Sequence, residues 1–257
     1  MTKVCVVCPI GGEVHEKFRE TVFNLEHKPI LYLFERSGIK YEPTTDVMET
    51  NQRRWRVIAK ARNQILTTAL KLDWDYILWL DSDIEVFPSL IADFLQYTPK
   101  EKVISASYLY RLPQKPRYVH VKNSPLPILN FNMTGTLSDG PDDLSNPPYK
   151  LAFGFGCVLI AREVHEKTGL FLDTDELIEP EDSTYCISIR KAGFNLFLAP
   201  IKVNHFPGKV TGTLDDENPD IVYPSKYRDL TQKLKENPVE VYTSDKEALP
   251  PSEPHKE

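Results

Sequence analysis

Apolar runs and polar breaks alternate along roughly the first 110 residues. KVCVVCPI (3–10) is apolar at nearly every position, which predicts a strand buried on both faces, ended by Gly11-Gly12. From 13 to about 27, Val14, Phe18, Val22 and Leu25 recur at helical spacing. ILYLF (30–34) predicts a second buried strand, followed by a polar loop through Pro43. Thr50 or Asn51 is then a candidate cap for a long helix reaching about 72, with Ile58, Ala61, Ile65, Ala69 and Leu72 turned inward. YILWL (76–80) predicts a third strand, 88–97 a helix, and KVISASYLY (102–110) a fourth strand. Strands that are apolar throughout and alternate with helices indicate an α/β protein. Its sheet is mainly parallel, with helices on both faces of a single domain.

The pattern changes after 110. Residues 111–150 are rich in Pro, Asn and Asp, which predicts an extended loop over the sheet, with a hairpin around 118–121. A strand is expected at 157–161, then a short helix, then a loop over 171–179. Pro180 opens a helix to about 192, which Gly193 stops, and NLFLAP and IKVNHF predict two short strands. An amphipathic helix is expected over 225–236. Residues 238–257 are too polar and Pro-rich to pack, so 1–237 is taken as the domain and 238–257 as a disordered tail.

Composition narrows the function. With 31 Lys+Arg against 37 Asp+Glu the net charge is −6, which argues against a protein that coats nucleic acid. No stretch approaches the ~20 apolar residues of a membrane span, and the start lacks a secretory h-region. Cys5, Cys8, Cys157 and Cys186 do not form a disulfide framework, so a cytoplasmic setting, at most peripheral to a membrane, is expected. Cys5 and Cys8 make a C-x-x-C, but they lie inside an apolar strand with no matching half-site. Two buried small side chains are the better reading.

The chemistry begins where YILWL ends in Asp81-Ser82-Asp83. Ligands of open α/β sheets bind at the carboxyl ends of the strands. Two carboxylates there are candidates to hold Mn²⁺ or Mg²⁺, which would neutralise charge on a departing diphosphate. A plain strand-ending turn is the bland alternative. Phosphohydrolases of the haloacid-dehalogenase type also place D-x-D after an apolar strand, but they want Thr or Val where Glu85 stands. The long helix carries Arg53, Arg54, Arg56, Lys60 and Arg62 in what reads as its first half, where cations are disfavoured unless an anionic ligand lies near. Arg62 and Asn63 are the candidates to face it. Further on, Glu181 and Asp182 open a helix, either as ordinary first-turn acids or as a general base. His205, at the end of a strand, is a candidate third metal ligand beside Asp81 and Asp83.

The ordered set KARNQILTTALKLDWDYILWLDSDIEV, GFGCVLIAREV, Glu181-Asp182, Gly193 and His205 resembles the core of GT-A fold glycosyltransferases of the family-2 type. RRWRVIAKARN and IEVFPSLIADFL are also similar to fungal Golgi mannan-type mannosyltransferases. The resemblance spans roughly 3–208 and implies a Rossmann-like GT-A sheet. It implies a donor that is a GDP- or UDP-sugar, and an acceptor hydroxyl on a glycan, lipid or protein. Asp81, Asp83 and His205 would then hold the cation, and Arg62 and Asn63 would face the donor. Pro9, Ile10 and Glu35 would line the nucleotide pocket, with Asp81 beside them, and Asp182 would serve as base in an inverting enzyme. Ser188 stands where an Arg is usual, and the mannan-type enzymes retain configuration, so the stereochemical course stays open. A sugar-1-phosphate nucleotidyltransferase is the enzyme alternative, although CPIGGEVHEKF lacks a G-x-G-x-R loop. A non-catalytic nucleotide-sugar-binding subunit is the other.

Overall fold

A computed structural model describes residues 2–10, 14–36, 45–108, 126–127, 154–206 and 221–222. The expected hairpin at 118–121, the helix at 225–236 and the tail at 238–257 lie outside the described residues. The strands are β1 (Val4–Ile10), β2 (Leu31–Arg36), β3 (Tyr76–Leu80), β4 (Ile84–Glu85), β5 (Val103–Tyr108), β6 (Leu126–Pro127), β7 (Cys157–Ala161), β8 (Phe197–His205) and β9 (Ile221–Val222). The helices are α1 (Glu16–Thr21), α2 (Val47–Ala69), α3 (Leu90–Leu95), α4 (Arg162–Thr168) and α5 (Glu181–Lys191).

Among the described residues the strands form one sheet in the order β4-β8-β5-β7-β3-β1-β2-β9, with β6 paired to β8. β1 runs parallel to β2 and β3, and β5 parallel to β8, while β7 is antiparallel between β3 and β5. This is the mixed, mainly parallel sheet that the apolar strands predict. Alternate residues feed two cores. Cys5, Val7, Ile77 and Trp79 pack with Ile65 and Leu66 of α2, Val164 of α4 and Tyr185 of α5 on one face. Val6, Cys8, Leu78 and Leu80 pack with Phe18 of α1 and Phe94 of α3 on the other. All four cysteines are buried. Among the described residues, no helix is long and apolar enough to cross a membrane.

Three boundaries differ from expectation for local reasons. α2 starts earlier than the Thr50 or Asn51 cap, because the Asp46 carboxylate accepts from the N–H groups of Met48 and Glu49 at 2.7 and 3.2 Å. α1 is six residues long; Val14, Val22 and Leu25 reach the core from the turns flanking it. β8 runs unbroken through Pro200 as one strand rather than two. Its pairing with β5 shifts register between Ser105 and Ser107, and such an irregularity accommodates a residue with no N–H. Gly193, at φ 91°, ends α5 in the left-handed region that glycine adopts freely.

Candidate active site

The parallel strands β1, β2, β3, β5 and β8 finish at one edge of the sheet, and the antiparallel β7 begins there. β3 runs apolar until Leu80, then the chain turns through Asp81-Ser82-Asp83 into β4. The turn is tied down by main-chain bonds. Asp81 N donates to Gly156 O at 2.9 Å, Ile84 N to Asp81 O at 3.2 Å, His15 N to Ser82 O at 2.8 Å and Phe206 N to Asp83 O at 2.9 Å. Three chain segments that are remote in sequence thus hold one tight turn.

Arg62 occupies the centre. It lies well inside α2, on the face turned to the sheet, and its side chain is only 2% exposed. Nη2 bonds Asp81 Oδ1 and Nε bonds Glu181 Oε1, both at 3.3 Å. Its guanidinium lies 5.3, 5.4 and 5.8 Å from the ring centroids of Trp79, Phe155 and Phe171. The aromatic box removes it from water, and the two carboxylates keep it charged. Burial alone would lower its pKa; Asp81, Glu181 and Asp182 more than reverse that and hold it above the usual arginine value. Arg62 Nη1 is buried and has no hydrogen-bond partner among the described residues. A buried donor of this kind is costly unless something accepts from it.

Glu181 and Asp182 form the first turn of α5. Glu181 is buried, and that burial, with the Asp182 charge beside it, pushes its carboxyl up to about 8 despite Arg62. Asp182 is raised by burial too, while Arg62 and the N–H groups of Ser183 and Phe155 pull it down. Around one guanidinium, therefore, stand more carboxylates than it can neutralise.

Asp83 and His205 form a separate buried pair, with Oδ2 and Nε2 3.2 Å apart and side chains 4% and 7% exposed. β4 pairs with β8 so that Ile84 lies opposite His205, which brings the imidazole beside the turn. Among the described residues, no three His, Cys, Asp or Glu groups converge closely enough to make a metal cluster. Asp83 and His205 come together; Asp81, whose side chain is 40% exposed, is turned to Arg62 instead. The pair fits a hard divalent cation in donor chemistry. Mn²⁺ accepts carboxylate and imidazole, and such ions take one or two protein carboxylates, keeping other positions for water and phosphate oxygens.

The remaining expected residues divide. Glu35 is fully buried at the end of β2, Pro9 is half-buried, and Ile10 is packed in the core of the α1 face. Asn63 does not point to the Arg62 centre. Its Nδ2 donates to Phe171 O at 2.9 Å and to Asp173 Oδ2 at 3.2 Å, and its Oδ1 accepts from Phe171 N at 2.8 Å. It brackets the loop that carries Phe171 into the aromatic box. The basic run on α2 also resolves differently from expectation. Arg53 pairs with Glu49 on its own helix, Arg56 with Asp175, and only Arg62 enters the centre. Because α2 begins at Val47, these cations sit beyond its first turn, which holds Glu49 instead.

Behind the centre lies a buried chain that the sequence pattern did not reveal. Trp79 Nε1 donates to His165 Nε2 at 3.3 Å, His165 Nδ1 lies 2.8 Å from Tyr185 Oη, and Tyr185 Oη donates to Gly169 O at 2.9 Å. With Trp79 donating to Nε2, the His165 proton sits on Nδ1 and is given to Tyr185. Burial lowers His165 to about 3, so it stays neutral. No spacing signal in one sequence links residues 79, 165 and 185.

Comparisons with known proteins bear on the fold. Residues 36–120, 85 of the 257, match the family model Anp1. Among curated proteins, none matches the sequence. GalNAc-T7, crystallised with UDP, GalNAc and Mn²⁺, is similar in structure at a TM-score of 0.52 and 14% identity, over 83% of this chain and 45% of that one. TarS of S. aureus is similar at 0.50 and 13%, over 79% of this chain and 36% of that one. The chain thus spans less than half of either neighbour. The fold is that of GT-A glycosyltransferases.

Proposed function

We propose that this protein is a metal-dependent glycosyltransferase that moves a sugar from a nucleotide diphosphate to an acceptor hydroxyl. The observation that carries the reading is the buried Arg62 bridging Asp81 and Glu181 next to the Asp83–His205 pair, at the carboxyl edge of a mainly parallel sheet. Function is argued from that site, because a fold of this kind hosts several chemistries. The match to Anp1, a mannosyltransferase family, supports a hexose donor and favours mannose. The UDP and Mn²⁺ in the GalNAc-T7 structure support a nucleotide diphosphate and a divalent ion for this fold.

Asp83 and His205 would hold the ion, with Asp81 as a further carboxylate on the rim. The ion supplies charge that stabilises the leaving diphosphate. The rest falls to the chain's own groups. Arg62 Nη1 donates to the donor, and its charge offsets the excess of carboxylates. Asp182, half-buried at the start of α5, takes the proton of the attacking hydroxyl if configuration inverts. Glu181, holding its proton near neutral pH, keeps the pocket from carrying one charge too many. Glu35 and the backbone of Pro9 and Ile10 line the nucleotide side. A glycan, lipid or protein hydroxyl is the acceptor class. A cytoplasmic setting is the reading from the sparse cysteines of the sequence; because the Anp1 family is Golgi-associated, fractionation of tagged protein distinguishes the two compartments.

The test is turnover of GDP- and UDP-sugars with Mn²⁺, followed as released nucleotide diphosphate with and without simple glycoside acceptors. Metal-dependent release, stopped by chelator, is expected. No release from any donor contradicts the reading.

A further inference from the structure

The turn that bears Asp81 and Asp83 is gripped from two sides by residues assigned no role so far. His15, just before α1, donates its N–H to Ser82 O at 2.8 Å. Phe206, just after β8, donates its N–H to Asp83 O at 2.9 Å. The two side chains then meet. Their rings stack nearly parallel, with centroids 4.4 Å apart and planes 5° from one another. His15 is fixed at its other side as well, because its Nδ1 accepts from Lys17 N at 3.2 Å. With Nδ1 an acceptor, the ring proton is on Nε2. The far end of α1 returns to the same region, since Thr21 Oγ1 accepts from Val86 N at 2.9 Å. Phe206 follows His205 directly, so whatever fixes Phe206 also fixes the imidazole that meets Asp83.

We propose that His15 and Phe206 are positioning residues for the metal site: stacked on each other, they lock the Asp81–Asp83 turn and hold Asp83 and His205 at ligand spacing. The inference rests on the metal-dependent reading above. Each backbone bond alone sets one carbonyl. The ring stack joins the two grips side chain to side chain, so that the segment entering α1 and the segment leaving β8 move together with the turn. Outer contacts of this sort orient the ligands they support.

The test is Mn²⁺ affinity, read from the loss of the free-ion EPR signal on titrating the whole chain, with the melting temperature of the metal-free protein recorded alongside. His15→Ala and Phe206→Ala should each weaken Mn²⁺ binding about tenfold or more. The double variant should be no worse than about twofold beyond the weaker single, because the two rings act as one unit. His15→Phe, which keeps a flat ring, should restore binding to within about threefold of wild type. Phe206→Leu serves where the alanine variant does not fold, and should weaken binding in the same way. A lowered melting temperature with unchanged Mn²⁺ affinity would mean packing alone and overturns the proposal, as do additive losses in the double variant. Wild-type protein that takes up no Mn²⁺ overturns the metal reading before any variant is made.

Discussion

At the amino edge of the parallel strands, charged side chains pair one to one near solvent: Lys102 with Glu163 at 3.1 Å, Arg162 with Glu166 at 2.6 Å, and Lys3 with Asp73 beside them, Arg162 also donating to the carbonyls of Leu70 and Leu72. At the carboxyl edge Arg62 is shared between Asp81 and Glu181, with Asp182 near enough to raise its charge affinity. An open cleft of about 500 Å³ lies at the amino edge, lined by Trp74, Asp75, Lys102 and Arg162 among others. Its charges are already matched, though, and half-exposed pairs cost little to keep or lose. Among the described residues, the carboxyl edge sets Asp81, Glu181 and Asp182 around the one guanidinium of Arg62, a crowding of carboxylates that a bound cation relieves. Charge balance separates the two edges.

The largest expected effect comes from Asp83→Ala, which should take donor turnover to background while far-UV circular dichroism is unchanged; retained turnover would place the chemistry elsewhere. Arg62→Met should be next. It removes the counter-charge of Asp81 and the donor to Glu181 Oε1, and losing a buried hydrogen-bonding partner of this kind costs about 1–3 kcal/mol. Urea unfolding reads that loss, and a change under ~1 kcal/mol would mean the centre is far wetter than its burial indicates.

The pH dependence sharpens the contrast further. Glu181 binds its proton more tightly in the fold than in the unfolded chain, so the unfolded chain releases it first as pH rises. Stability should therefore be fullest below about 4.5 as far as this group is concerned, and fall as pH rises toward about 8. Thermal melts of Glu181→Gln should lose most of that slope. An identical slope in the variant would assign the titration to another group. The smallest effect is expected at the amino edge. Lys102→Ala should change stability by no more than about 1 kcal/mol and leave turnover at wild-type rate, measured by melts and by the donor assay.

Much of the scaffold was legible because the signals are local. Continuous apolar runs gave β1, β3 and β7, and the Pro180 start and Gly193 stop gave α5. Asp46 does not stand out as the cap, because Thr50 and Asn51 also have capping side chains and lie nearer the apolar stripe. The site was legible only in part. Asp81, Asp83, Arg62, Glu181, Asp182 and His205 do gather at one edge. That Arg62 bridges Asp81 to Glu181, 119 residues away, depends on tertiary packing and not on spacing. The same limit explains Asn63, which looked like a donor contact beside Arg62 but points one helical position away, into the loop at Phe171. His15 and Phe206 carried no signal, since single aromatic residues near element ends are common and their stacking is visible only in three dimensions.

The central claim is that the carboxyl edge binds a nucleotide-diphosphate sugar together with a divalent ion. The most direct measurement is a thermal-shift panel of GDP- and UDP-sugars in Mn²⁺ and in chelator, on the wild-type chain and Asp83→Ala. A donor at 100 times its Kd should stabilise the wild type by about 2.7 kcal/mol in Mn²⁺, with the shift lost in chelator and in the variant. No shift from any donor in Mn²⁺, or an equal shift in Asp83→Ala, would contradict it.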